Sequence, residues 1–450
     1  MRTWVGKILP DAGLHSLRKH WLWAAIAAAG LVIHAGTAAL RLTTFFPVPR
    51  LLDFSAFYAS AWAIRLGMSP YNLSTEWLSA LQRAQSIPFL PPPIYNPPFW
   101  PWLLVPLTWF SFPVAAWIWL VLNLGLLLLS AIALADLAGH KSWRARCVIF
   151  ALVVTFGPTF LDLTLGQTSV VLMVAALTIG RSLSSKNRLA GLVAAGAAAV
   201  AVGCKLFPLS WLPVWPLLRR WRYVLLAVIL VLAVAGLSVL ASPAGSRAYW
   251  AYLFEERLAT ASAVPSVDDQ ALVAWLDRLV LPQVFDVSGV GVEQRQTVFW
   301  TPPWSVDATT VRWLGYALIA VLLALVSLVL LRTGKEHPEA GMYLWILFGL
   351  IALLHIERYN HVLLLPAMAW LWGRGASERK VVVASYTLVG LARLTHLWAV
   401  LLPAPWGPLA SGFGLYAVFA LGVAMAVSVW SASAPVKEAS RPAELTELAQ

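Results

Sequence analysis

The chain has 450 residues, 60% of them hydrophobic and 12% charged, with a formal net charge of +12 at pH 7. So much apolar surface exceeds what a water-soluble core absorbs, and the bilayer is the solvent against which this sequence folds. The positive charge occurs in short clusters between apolar runs rather than as one basic stripe, which argues against nucleic acid as a partner. Cys147 and Cys204, the two cysteines, lie in or beside apolar segments and indicate neither a disulfide framework nor a thiolate metal site.

Arg2, Lys7, Arg18 and Lys19 precede the first apolar run, 21–40. At about 20 residues this run is long enough to cross, so it reads as a retained anchor rather than a cleaved signal. A long loop follows, 41–98. It holds Asp53-Phe54, a predicted amphipathic helix over 55–66 lying on the membrane, and a proline-rich stretch from Pro88 to Pro98 that stiffens the chain. Apolar stretches recur at 99–135, 146–161, 168–181, 189–204, 206–218 and 223–241. A second long loop, 242–310, mixes aromatic residues with Asp268, Asp269, Asp277, Asp286 and Asp307, and is long enough for short helices of its own. The last stretches are 311–331, 341–355, 361–372, 381–400 and 409–430.

Several stretches are too short to cross alone. Those at 206–218 and 361–372 contain or abut proline, and half-length helices survive in a bilayer only when packed against protein or lining a cavity. The whole reads as all-α, a polytopic transmembrane helical bundle of about 10–12 spans. It forms one domain over 1–430, followed by a disordered cytoplasmic tail, 431–450. Lys and Arg concentrate in 1–20, 136–145, 181–188, 219–222, 332–340, 373–380 and 431–450. By the positive-inside rule this predicts a cytoplasmic N-terminus, with both long loops on the outer side of the cell membrane.

Ionisable groups near lipid are costly, so those at the outer ends of apolar runs are functional candidates. They are Asp53, Asp162 with Gln167, Lys205, the group His355, Glu357, Arg358 and His361, and finally Arg393 and His396. Each also has a structural reading: Asp53 as a helix cap, Lys205 as a snorkelling side chain, His361 as a buried hydrogen-bonding residue. No HExxH, DxD or CxxC pattern occurs, which favours a metal-free site with no cofactor. His355 and Glu357 leave a divalent cation open.

Around these residues the sequence resembles glycosyltransferase family 87, polyprenol-phosphate-dependent mannosyl- and arabinosyltransferases with the C-type membrane fold. The likeness runs from Asp53-Phe54 to Tyr58, Ala59 and Gly67-Met-Ser-Pro-Tyr71, then through Tyr95-Asn-Pro-Pro98 and Pro106-Leu107. It resumes at Gly166-Gln167-Thr168, at Ala190-Gly191 leading to Lys205-Leu-Phe-Pro208, and at Arg219-Arg220-Trp221. Where the family often has Ser-Pro, an aromatic and histidines, this chain reads His355-Ile-Glu-Arg-Tyr-Asn-His361. His361 fits the histidine position, and Ile356-Glu357-Arg358 departs from the pattern.

The resemblance implies a donor sugar on polyprenyl phosphate, mannose favoured over arabinose, and a glycolipid or cell-envelope glycan as acceptor. It implies that Asp53 is the catalytic carboxylate and that Lys205 lies near the donor phosphate. Such a transfer needs a carboxylate to take the acceptor proton, for which Asp53 is the candidate. It needs cations for the leaving phosphate, for which Lys205 and Arg358 are the candidates. Polar groups must orient the sugar ring, and Tyr58, Tyr95, Gln167 and His361 are the candidates. Two other classes stay open: a transporter or lipid-carrier flippase, which would place its charges at mid-membrane without large one-sided loops, and a scaffold subunit lacking activity, in which Asp53 would point away from Lys205.

Overall fold

The computed structural model describes residues 14–185, 187–257, 269–281, 283–287, 296–300, 306–353, 355–394, 402 and 405–432. His396 and the predicted tail from 433 onward lie outside these residues. The chain opens with α1 (Leu14–Arg41), then places α2 (Leu52–Arg65) and α3 (Thr75–Gln85) in the first long loop. A run of helices follows: α4 (Phe112–Leu137), α5 (Trp143–Thr155), α6 (Gly157–Leu165), α7 (Ser169–Ser184), α8 (Arg188–Cys204) and α9 (Trp221–Ala241). The second long loop contains α10 (Pro243–Ala251), a π-turn (Tyr252–Arg257) and α11 (Leu272–Val280). It also carries an antiparallel ribbon of β1 (Gln283–Val287) and β2 (Gln296–Trp300). The chain closes with α12 (Ala308–Thr333), α13 (Pro338–Ala352), α14 (Leu365–Trp372), α15 (Ala376–Ala392) and α16 (Phe413–Ala432).

The architecture is a polytopic helical bundle, as its composition demands. Helical segments at Trp21–Phe45, Phe112–Leu137, Tyr223–Ala241, Ala308–Thr333 and Phe413–Ala432 are long and apolar enough to cross a membrane. The pair α5–α6, bent by 63°, passes the same test as a broken span or re-entrant loop. Proline fixes where continuous runs break. The apolar stretch from residue 99 first forms the turns Phe99–Leu103 and Val105–Trp109, and α4 starts beside Pro113. The stretches at 206–218 and 361–372 become 3-10 turns and helices of four and eight residues, with Pro208 and Pro366 in first turns and Pro213 at an N-cap.

Two kinds of helix result. α9 and α12 leave most of their length exposed on the molecule, the pattern of helices facing lipid. α13, at 15 residues too short to cross at full thickness, is buried from Ala340 through Ile351. It packs against α7 and α16, while α8 lies between α7 and α9 and α15 between α1 and α16.

One local expectation fails. The predicted surface helix over 55–66 is α2, and it is not amphipathic: ten of its residues, from Phe54 to Ile64, are buried. The reason is aromatic packing, with Phe54 stacked on Trp119 at 5.5 Å and Phe57 edge-on to Trp100. α2 is therefore a wall of the bundle rather than a float on its surface.

Candidate active site

The site is assembled from chain breaks. α6 ends at Gly166, whose φ of +72° suits glycine. A side chain there would also collide with α2, since a Cβ would lie 2.6 Å from Phe54 Cβ and 2.9 Å from Leu51 Cβ. Trp119 Nε1 donates to the Gly166 carbonyl at 3.1 Å and holds the turn. This close approach brings the next residue to the first turn of α2, where Gln167 Nε2 donates to Asp53 Oδ2 at 2.7 Å.

Lys205 reaches the same place from α8. It leaves the helix in an extended conformation just before the 3-10 turn Phe207–Trp211, in which Pro208 blocks helix continuation. The carbonyl of Cys204 at the helix end accepts from Asn96 Nδ2 at 2.8 Å, tying the Tyr95-Asn-Pro-Pro98 loop to the lysine. Lys205 Nζ lies 4.4 Å from the centre of the Tyr359 ring, a cation–π contact. Its charge acts on both Asp53 and Asp162. Burial raises the Asp53 carboxyl to about 6, with the Gln167 hydrogen bond and Lys205 opposing the rise and the charge of Glu357 adding to it. A carboxyl in that range ionises near neutral pH and remains basic enough to take a proton.

Behind the pocket, Asp162 is buried and accepts from the Ser169 backbone N–H at 2.8 Å. Ser169 Oγ donates to Asn360 Oδ1 at 3.3 Å and so links α7 to the segment carrying Tyr359 and His361. Above it, His355 Nδ1 lies 2.8 Å from Asp269 Oδ2, and Nε2 lies 3.2 Å from Glu357 Oε1. Desolvation works against the charged imidazole, but the hydrogen bonds and negative charges of Asp269 and Glu357 prevail and lift it to about 10. This acid–imidazolium–acid bridge fastens the second long loop to the pocket, reinforced by Ile356 N–H donating to Asp269 Oδ1 at 3.0 Å.

The structure thus brings together Asp53, Gln167 and Lys205, with Glu357 acting on both charged groups. Tyr95 is half exposed and stacks on Tyr252 at 5.4 Å. Three residues are placed differently. Tyr58 is 1% exposed and donates its hydroxyl to the Phe110 carbonyl at 2.6 Å. Arg358 turns to the end of α15, where Nη1 donates to the Arg393 carbonyl at 3.0 Å. His361 is buried beside Gln270 and Gly414. Sequence reasoning overlooked Tyr359, for which the one available signal was an aromatic two residues after Glu357. Among the described residues, no group of three or more His, Cys, Asp or Glu side chains is placed to hold a metal ion.

The model of glycosyltransferase family 87 matches residues 94–355, more than half of the chain. The chain belongs to glycosyltransferase family 87. No curated protein matches it. Within this glycosyltransferase the matched stretch includes Tyr95, Gln167 and Lys205, whereas Asp53, Tyr58, Arg358 and His361 flank it. Asp53 lies outside the matched residues and is joined to them by its hydrogen bond from Gln167.

Proposed function

We propose that this family-87 glycosyltransferase moves a sugar, mannose in preference to arabinose, from polyprenyl phosphate to a glycolipid or cell-envelope glycan. The reaction takes place on the extracytoplasmic face of the cell membrane, with the N-terminus cytoplasmic. Asp53 accepts the proton of the acceptor hydroxyl as that oxygen bonds to the anomeric carbon. The bond from that carbon to the phosphate oxygen breaks, and the electron pair leaves with polyprenyl phosphate. Lys205 meets the charge of the departing phosphate. Gln167, bonded to Asp53 Oδ2, holds the carboxylate so that Oδ1 faces the acceptor. Tyr95 offers a ring face to the sugar.

The observation that carries this reading is the joining of Asp53 to Gln167 beside Lys205, three groups from separate elements. It favours a transferase over an inactive scaffold, in which Asp53 would face away from Lys205. Family membership favours a transferase over a transporter.

The test is mass spectrometry of envelope glycolipids and glycans from a strain lacking the gene, joined to an assay of purified protein with polyprenyl-phosphate mannose. Loss of one sugar from one product, restored by the purified protein and that donor, is expected. An unchanged envelope together with no transfer from any polyprenyl-phosphate sugar would overturn the reading.

A further inference from the structure

Lys205 stands among three carboxylates and pairs directly with none of them. The charges of Asp162, Asp53 and Glu357 act on it, in that order of weight, and the remaining titratable neighbour is Cys204 on its own helix. Among the described residues none of these acids is in ion-pair contact with the ammonium, and Nζ rests instead over the Tyr359 ring, 4.4 Å from its centre. An ammonium beside a carboxylate is drawn onto it, because the attraction grows as the separation shrinks. Some other group must hold Lys205 off Asp53.

The three acids differ in what else they have. Asp53 Oδ2 accepts from Gln167 Nε2 at 2.7 Å, and Glu357 Oε1 lies 3.2 Å from His355 Nε2. Asp162 Oδ1 accepts from the Ser169 backbone N–H at 2.8 Å, while Oδ2 is buried with no hydrogen-bond partner among the described residues. Lys205 is the cation whose charge reaches it. A buried carboxylate is costly without an opposite charge, so Asp162 is committed to Lys205, whereas Asp53 and Glu357 have side-chain partners of their own.

Asp162 also sits at a junction. Its backbone carbonyl accepts from the Gln167 N–H at 2.9 Å, which leads to Asp53. Its carboxylate anchors Ser169, whose hydroxyl donates to Asn360 Oδ1 at 3.3 Å, and Asn360 follows Tyr359, the seat of the ammonium. One residue is therefore tied to the base on one side and to the cation on the other. We propose that Asp162 is a positioning residue: its charge keeps Lys205 over the Tyr359 ring and out of direct pairing with Asp53, so that the base stays open to the acceptor and the cation to the phosphate. The inference rests on the sugar-transfer reading, in which a closed Lys205–Asp53 pair would neutralise both groups before either substrate arrived.

The test is the pH profile of sugar transfer by the purified full chain, read as turnover at saturating polyprenyl-phosphate mannose. Asp162→Asn removes the charge and leaves an amide oxygen to accept from Ser169, so the start of α7 keeps its cap. Lys205 then closes on Asp53, and the acid limb should move about one pH unit lower, the size of one close opposite charge. Turnover at neutral pH should fall a few-fold as the base weakens. In a Lys205→Ala background the same substitution should leave the limb where Lys205→Ala alone puts it. Asp162→Ser, neutral and still able to accept from Ser169, carries the test should the amide variant fail to fold. Turnover lowered equally at every pH would make Asp162 a cap of α7 and overturn the proposal. So would a shift that persists in the Lys205→Ala background, which would come from repulsion between the two carboxylates. Asp53→Asn in the same assay keeps the underlying reading separate: near-parental turnover there sinks Asp53 as the base, whatever the Asp162 variants do.

Discussion

The two charged regions of this molecule balance their charges in opposite ways. In the carboxylate pocket Lys205 is surrounded by Asp53, Asp162 and Glu357 and rests on the Tyr359 ring, so each charge has an opposite within reach. In the corner of Arg41, Arg358 and Arg393 like charges meet, and backbone carbonyls are the acceptors that hold two of the side chains in place. A pocket neutralised from within is ready to exchange protons and to admit a phosphate by rearranging partners it already has. A corner where like charges meet and lean on backbone carbonyls has no such exchange to make. On this contrast, the first region is the one suited to proton chemistry.

The contrast breaks most visibly at Asp53. Asp53→Asn should lower turnover by at least about 10²-fold while donor KM stays near the parental value, because the amide keeps the shape and can still accept from Gln167 but takes no proton. Turnover close to parental would move the base elsewhere, with Asp162 and Glu357 next to test. Lys205→Ala should come second, raising donor KM about tenfold, with Lys205→Arg retaining part of the affinity because a fork replaces an ammonium. An unchanged KM in the alanine variant would leave Lys205 a neutralising residue and nothing more.

Acid provides a subtler probe of the same pocket. Asp53 must be ionised to act as base, and its carboxyl titrates at about 6. Activity should therefore be full above about pH 7 and fall roughly tenfold per pH unit below 6. A profile flat to pH 4.5 would show that the carboxyl is not the base. Removing the Tyr359 ring should have a smaller effect, a few-fold rise in donor KM for Tyr359→Leu and little for Tyr359→Phe, since the ring face and not the hydroxyl meets Lys205. Equal losses in the two variants would assign the effect to the hydroxyl.

These residues were not equally legible in the sequence. Helical class and membrane character follow from composition, and Asp53, Gln167 and Lys205 could be singled out because each ends an apolar run where a polar group is costly. The meeting of Gln167 with Asp53 could not be read from spacing, since it depends on Gly166 letting α6 close against Phe54. The contact of Tyr58 was hidden for a related reason: its hydroxyl looks available in sequence, but the packing of α2 turns it to the Phe110 carbonyl. Arg358 was grouped with Lys205 by its place beside Glu357, yet the direction of a side chain on a 3-10 turn is set by its neighbours, here the end of α15. The ribbon β1–β2 was also hidden, because the second long loop carries no alternating pattern strong enough to announce strands.

The mildest expected effect concerns the bridge that joins the second long loop to the pocket. His355 titrates at about 10 in the folded chain because Asp269 and Glu357 hold its charged form, against an ordinary value near 6.5. A histidine raised in this way contributes stability that is fully present below pH 6.5 and is lost as pH rises through 10. The side chain is 40% exposed, so solvent screens part of the attraction, and the effect belongs to the loop rather than to the whole fold. Amide hydrogen exchange over α11, corrected for the intrinsic pH dependence of exchange, should accelerate between pH 7 and 10. His355→Asn should exchange at the faster rate already at pH 7 and show no further pH response, since asparagine can still hydrogen-bond to one acid but carries no charge. Were the exchange of α11 independent of pH in the parental chain, the loop would be held by the Asp269 bonds to the backbone of Ile356 and Ala271 alone, and the imidazolium would be a passenger.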